Sequence, residues 1–321
     1  EDIAPIAVYV VLDPECELGH HGFADSDNNG PRGEALVREF IPWLEKQFDL
    51  VPNADARIVT GHSSGGWSSL WLQLNYPDVF GATWSSAPDP VNFHFFQMTD
   101  LYEDGNLFRS PGMQDDTPSY RWYVDATYVP KVLMTVRQET AMEDVLDPHG
   151  RSGQQWDTWE AMFSQKDSST GMPRPMFDSA TGTIDAETVA HWQKYDMYKK
   201  VDEHWDTLGP VLTQRVRLVV GSVDSYYLNR AVESLKKLVE QKTGKTEEPT
   251  PEGQKKKHVD GSKSGYIDIY GGDDHESIVT NTTIRWNKEM RDYLMQHGYQ
   301  DEGPEYIDDD DNVQMHPVKP E

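Results

Sequence analysis

The chain has 321 residues and a formal net charge of −26, from 29 basic and 55 acidic side chains. An acidic surface of this size repels nucleic-acid phosphates and anionic lipid, so neither nucleic acid nor a membrane is an expected partner. The hydrophobic share is only 36%, but 10 Trp, 15 Tyr and 10 Phe supply enough bulk for one large core, and no apolar run is long enough to span a bilayer.

Cys16 is the single cysteine, which excludes an intrachain disulfide and a CxxC metal site. No signal-peptide pattern opens the chain, and it begins without Met. It therefore reads as a processed chain or as the catalytic part of something longer. The compartment is left open, secretion or a periplasmic location included.

In chain order, residues 3–12 (IAPIAVYVVL) are rich in β-branched side chains and apolar on both faces, as in a buried central parallel strand. A Gly/Asn/Asp-rich loop follows to residue 33. Residues 34–48 place Leu36, Val37, Phe40, Ile41, Leu44 and Phe48 near helical spacing, and Pro42 should kink or split that helix. Residues 56–60 form a short strand that runs into GHSSGG. Residues 66–76 form a helix with Trp67, Leu70, Trp71 and Leu74 on one stripe, and residues 79–85 form the next strand.

Residues 93–210 show poor strand periodicity. Helices are expected at 154–163 and 185–195, and a strand near 131–136 is a candidate for the core sheet. Residues 110–208 are expected to form a helical insertion over the active site. Strand character resumes at 216–220, followed by a helix over 228–241 and a Lys/Glu/Pro/Gly-rich mobile loop over 242–264. A last strand over 266–270 precedes a closing helix over 283–297. Residues 299–321 form an acidic tail. Strands alternating with helices predict a single α/β domain over 1–321, with a mostly parallel central sheet and helices on both faces. Chemistry then gathers at the carboxyl ends of the strands.

Gly61-His62-Ser63-Ser64-Gly65 lies at such an end. A serine hydroxyl is a weak nucleophile unless a base lies within reach and the backbone exposes its oxygen. A tight strand-to-helix turn does the second, and glycines two residues either side of Ser63 remove the side chains that would obstruct it. Ser63 is therefore the candidate nucleophile, and the glycine spacing prefers it to Ser64. The base should follow a late strand, with the acid between nucleophile and base. His275, in Gly-Gly-Asp-Asp-His, and Asp224, after strand 216–220, meet that order. Asp89, Asp273 and Asp274 compete for the acid role. The oxyanion hole should draw one amide from Ser64 and one from the loop after residue 12, where Pro14 has no N–H and Glu15 or Cys16 is the candidate donor.

These residues resemble the putative-esterase branch of the α/β hydrolases, which includes esterase D-like, feruloyl-esterase-like and enterobactin-esterase-like enzymes. The resemblance is carried by GEALVREFIPWLEKQF, RIVTGHSSGGWSSLWLQLNYPDVFGATWSSAPDP, VRLVVGSVDSYYLN and YGGDDHESI. It implies an α/β-hydrolase fold, Ser63, Asp224 and His275 as a triad, Ser64 as an oxyanion donor, and carboxylic ester hydrolysis on a small-molecule ester. That branch has further strands before residue 3, and the middle segment of this chain is its own. The alternatives are an acyltransferase or, less favoured, a peptidase using the same triad, and an inactive binding protein on this fold.

Adjacent histidines in an extended segment diverge, so His20 and His21, with Asp25 and Asp27 nearby, do not make an expected metal site. Asp308 to Asp311 lack the spacing of a calcium loop. No metal and no cofactor are expected. Trp156, Trp159, Phe163 and Trp192 read as packing at helical spacing, with an aromatic pocket lining as the alternative. Arg137 and Arg151 are candidate carboxylate contacts. Neither the ester nor the oligomeric state is legible.

Overall fold

A computed structural model describes residues 4–123, 129–147, 150–245 and 259–299. In chain order it contains two short antiparallel pairs, β1 (Glu15–Cys16) with β2 (Gly19–His20) and β3 (Asp25–Ser26) with β4 (Gly30–Pro31), then α1 (Arg32–Ala35) and α2 (Ile41–Phe48). Next come β5 (Ile58–His62), α3 (Ser64–Asn75) and β6 (Ala82–Ser86). Among the described residues the middle segment holds a hairpin, β7 (Pro118–Tyr123) with β8 (Pro130–Thr135), and four α-helices. These are α4 (Val136–Leu146), α5 (Gln155–Phe163), α6 (Ala186–Trp192) and α7 (Met197–Glu203). Then follow α8 (Trp205–Arg215), β9 (Val216–Gly221), α9 (Asn229–Thr243), β10 (Tyr266–Tyr270) and α10 (Ser277–Gln296).

The central sheet is parallel, in the order β10-β9-β6-β5. Both middle strands are buried at every position, so both faces are covered. Alternate residues of β6 show how. Thr83 and Ser85 donate to α3 carbonyls, at Ser69 (3.2 Å) and Gly66 (2.8 Å). Trp84, between them, points the other way and donates to Glu289 of α10 at 2.9 Å. This is the α/β-hydrolase arrangement, with helices on both sides of the sheet.

The apolar stripe of α3 is an anchor of the core. Trp67 and Trp71 stack with ring centroids 5.1 Å apart. They meet Phe163 and Tyr195 of the middle segment at 5.3 Å and 5.5 Å. Trp156, Trp159, Phe163 and Trp192 are buried in the same cluster as the sheet residues. They act as packing, and the middle segment shares the main core.

Several elements differ from expectation. Residues 3–12 are not a buried strand: from residue 4 they form no ladder, and Ile6 and Val11 are 81% and 97% exposed. Apolar character on both faces needs two covering layers, and this segment lies outside them; Pro5 also removes a ladder donor. The strand near 131–136 belongs to the β7–β8 hairpin and not to the core sheet; Val132 and Leu133 are exposed. The helix over 34–48 is split as Pro42 dictates. A π-turn, Leu36–Phe40, separates α1 from α2, and Pro42 sits in the first turn of α2 where its missing N–H costs nothing. The closing helix starts at Ser277, earlier than residue 283. The expected loop over 242–264 falls outside the described residues at 246–258, as does the tail from residue 300, with Asp308 to Asp311. Among the described residues, no helix is long and apolar enough to cross a membrane.

Candidate active site

β5 ends at His62 and α3 begins at Ser64, so Ser63 alone makes the turn. It does so at φ 57°, ψ −126°, a conformation that costs a non-glycine residue roughly 1–3 kcal/mol and is kept only where the surroundings enforce it. The enforcement is visible: Ser63 N–H donates to Ser86 O at 3.0 Å, and Ser63 O accepts from Trp67 N–H at 3.0 Å. A Cβ on Gly61 would lie 2.2 Å from Gly65 O, and one on Gly66 would lie 2.4 Å from Ser86 O. The expected obstruction is therefore real at position 61. At Gly65 nothing lies within 4 Å of such a Cβ. The glycine that needs to be glycine on the helix side is Gly66, which lets α3 close onto β6.

Asp224 and His275 are brought together from the ends of β9 and β10. His275 Nδ1 lies 2.8 Å from Asp224 Oδ2, and both side chains are buried. The other Asp224 oxygen accepts from the amides of Tyr226 (2.9 Å) and Leu228 (3.1 Å), so the carboxylate is held at three points. Arg121 of β7 donates to the Asp224 carbonyl at 3.1 Å. The two loops touch because β9 ends in Gly221, where a Cβ would lie 2.1 Å from Asp273 O. Val223 N–H donates to Asp273 O at 3.0 Å across the same contact. Asp273 itself accepts from Ser277 and Asn281, and Asp274 accepts from the amides of Glu276 and Ser277. Both rival acids in this loop therefore shape its backbone.

Burial works to lower the His275 pKa, but the Asp224 hydrogen bond and charge, with Asp89 and Glu276, outweigh it and hold the ring above the usual histidine value. The His62 ring lies against it, 4.4 Å between centroids. Burial first, then the His275 charge, push His62 down to about 4, so His62 is neutral where His275 is charged. Its Nδ1 is 3.1 Å from Ser86 Oγ. Tyr226 packs edge-on to His275 at 4.9 Å.

Asp89, the other rival acid, is fully enclosed and does not bond to His275. Its Oδ2 accepts from Ser64 Oγ at 2.8 Å and from Trp159 Nε1 at 3.1 Å. Burial raises its pKa against these two donors and against the nearby His20 and His275. Asp89 thus ties the first residue of α3 to the middle segment. These roles of Asp89, His62, Tyr226 and Trp159 carry no signal in local spacing; the Ser64–Asp89 and Trp159–Asp89 bonds span 25 and 70 residues.

The Glu15 amide donates to Asp13 Oδ1 at 2.9 Å, and Cys16 sits opposite Gly19 in the β1–β2 ladder with its thiol 3.5 Å from Asn29 Oδ1. His20 is half-buried near Asp89, and His21 is buried with Nδ1 accepting from Phe23 N–H at 3.1 Å. Arg137 and Arg151 are paired with Asp116 and Asp147. Among the described residues, one trio has donor atoms close enough to hold a metal ion: His62, His275 and Glu276, within 4.8 Å of one another.

A family model described as "Putative esterase" matches residues 15–264. The chain belongs to that esterase family. The sheet and its flanking helices are the α/β-hydrolase fold. Among solved structures it is similar to an S-formylglutathione hydrolase from Agrobacterium tumefaciens, at 13% identity and TM-score 0.36 over 84% of this chain and 63% of that one. It is also similar to the enterobactin esterase of Shigella flexneri (12% identity, TM-score 0.33, 85% of this chain and 40% of that one). A ferulic acid esterase matches at 12% identity and TM-score 0.38, over 82% and 61%. The chain thus spans less than two thirds of these proteins, and at such values the likeness bears on neither substrate nor residue roles. No curated protein matches.

Proposed function

We propose that this esterase-family chain is a serine carboxylic-ester hydrolase acting on small-molecule esters through Ser63, His275 and Asp224. The observation that carries the reading is the buried Asp224–His275 pair, 2.8 Å apart, packed against the residue that precedes a positive-φ serine at a strand-to-helix turn. Asp224 fixes the tautomer with the proton on Nδ1 and leaves Nε2 as the base. Ser63 Oγ bonds to the ester carbonyl carbon, its proton passes to His275 Nε2, and the carbonyl electron pair moves onto oxygen.

The oxyanion is held by the Ser64 amide, in the unpaired first turn of α3, and by a backbone amide of the loop after residue 12, with Glu15 and Cys16 as the candidate donors. The tetrahedral species collapses, the C–O bond to the alcohol breaks, and His275 returns the proton to the leaving oxygen. Water then repeats the sequence and frees the acid. Ser63→Ala should abolish hydrolysis of p-nitrophenyl acetate with an unchanged circular dichroism spectrum, and a fluorophosphonate should label Ser63 in the parent. Full activity in the variant would remove Ser63 from the mechanism.

A further inference from the structure

We propose that His62, His275 and Glu276 form a binding site for a divalent transition-metal ion of the zinc class, and that occupancy inhibits the enzyme. The inference rests on His275 being the catalytic base. Two imidazoles and a carboxylate are the ligand set that zinc-class ions prefer, and three protein ligands leave a fourth position for water. One donor atom of each residue lies within 4.8 Å of the others.

The outer contacts favour ligation. His275 Nδ1 is held by Asp224 at 2.8 Å, which leaves Nε2 to bind. A carboxylate behind a ligating histidine is the usual support of such sites. His62 Nδ1 is engaged by Ser86 Oγ at 3.1 Å, and its Nε2 is buried with no hydrogen-bond partner among the described residues. The esterase mechanism gives that nitrogen no task. Glu276 lies just before α10, its amide tied to Asp274 Oδ1 at 3.1 Å and its carboxylate exposed. Ligands in a tetrahedral zinc site stand about 3.3 Å apart, given metal–nitrogen bonds of about 2.0–2.1 Å. The trio must therefore contract, and the exposed Glu276 side chain is the member able to move.

Inhibition follows from the atom concerned. The His275 Nε2 lone pair that would bind the metal is the one that takes the Ser63 proton, so the two events exclude each other. The net charge of −26 raises the local concentration of cations around the molecule. Among the described residues, two other His–carboxylate pairs, His94 with Asp100 and His191 with Asp27, are more exposed and bring one histidine each.

The test uses the full chain after treatment with a chelator. Co²⁺ is titrated and its visible d–d absorption recorded, and p-nitrophenyl acetate hydrolysis is followed with and without Zn²⁺. One Co²⁺ per chain with tetrahedral-type absorption, displaced by Zn²⁺, is expected. Zn²⁺ should inhibit over the same concentration range. Glu276→Gln should weaken Co²⁺ binding and Zn²⁺ inhibition together, by roughly 10-fold or more, with inhibition read against the variant's own metal-free rate. His62→Asn should weaken Co²⁺ binding likewise; if it fails to fold, Glu276→Gln decides alone. Ser63→Ala should still bind Co²⁺, so failure of the hydrolase reading and failure of the metal site are separable. Absorption and inhibition unchanged by Glu276→Gln, or no Co²⁺ spectrum at all, would overturn the proposal.

Discussion

Replacing Gly221 by alanine tests whether the contact between the acid and histidine loops sets the catalytic geometry. The added Cβ would sit 2.1 Å from Asp273 O, 2.5 Å from Asp273 C and 2.9 Å from Asp274 O, all backbone atoms. Relief to even a tight 3.0 Å contact needs a shift of about 0.9 Å in a close-packed region. Carried through to Asp224, three residues beyond Gly221, and His275, two beyond Asp273, that shift stretches their bond from 2.8 Å to about 3.7 Å, past hydrogen-bonding range. A misplacement of about 1 Å costs on the order of 10²-fold in rate. Overpacking costs about 1–3 kcal/mol of stability, which lowers Tm without unfolding the chain at 25 °C.

The assay is kcat for p-nitrophenyl acetate beside Tm from calorimetry. Gly65→Ala is the control, since its Cβ meets nothing within 4 Å; it should keep parental kcat within a few-fold. Gly221→Ala at parental kcat would refute the reasoning. So would a loss of activity in a variant whose crystal structure keeps the 2.8 Å bond.

Asp224→Asn presents an amide to His275 Nδ1 and favours the wrong tautomer, so kcat should fall by roughly 10⁴-fold, the size known for this change in serine proteases. The pH profile of kcat/KM should show an acid limb above the usual histidine value of about 6.5, because His275 is held up by Asp224, Asp89 and Glu276 against the burial that would lower it. The same shift means that His275 stabilises the fold fully below about pH 6.5 and loses that contribution as pH rises through its folded value.

Glu143 behaves in parallel but for a different cause. Burial lifts it to about 7 despite two amide donors, from Trp156 and Asp157 at 3.0 Å each. Its native state keeps the proton longer than the unfolded chain, so urea stability should fall between about pH 4.5 and 7, by roughly 2–3 kcal/mol from this group. Glu143→Gln should flatten that slope; an identical slope in the variant would assign it elsewhere.

What the sequence made legible was local. The turn at Ser63 is written in glycines within three residues of it, and α3 in a stripe of Trp and Leu. Asp224 and His275 were reachable because a parallel sheet puts successive strand ends on one rim. The errors came where burial is decided by distant chain. Residues 3–12 have the composition of a covered strand, but composition does not supply the covering layers. The β7–β8 hairpin has strand propensity without a place in the sheet. Asp89 stood as a rival acid because both it and Asp224 follow strands. Only the packing of Trp159 and Ser64 around Asp89, and of Tyr226 and His275 around Asp224, separates the two. The motif spacing points to Gly65, whereas Gly66 is the residue on which another backbone closes.

The indole of Trp159 gives the enzyme an optical readout of its own chemistry. Its N–H is bonded to Asp89, whose same oxygen takes the hydroxyl of Ser64, the residue beside the proposed nucleophile. Negative charge arriving at the Ser64 amide is felt by the Asp89 carboxylate, and through it by the dipole of the excited indole. Addition of a boronic acid to Ser63, which leaves a lasting tetrahedral negative charge there, is thereby expected to change Trp159 emission, so that stopped-flow fluorescence can time the covalent step without a chromogenic leaving group.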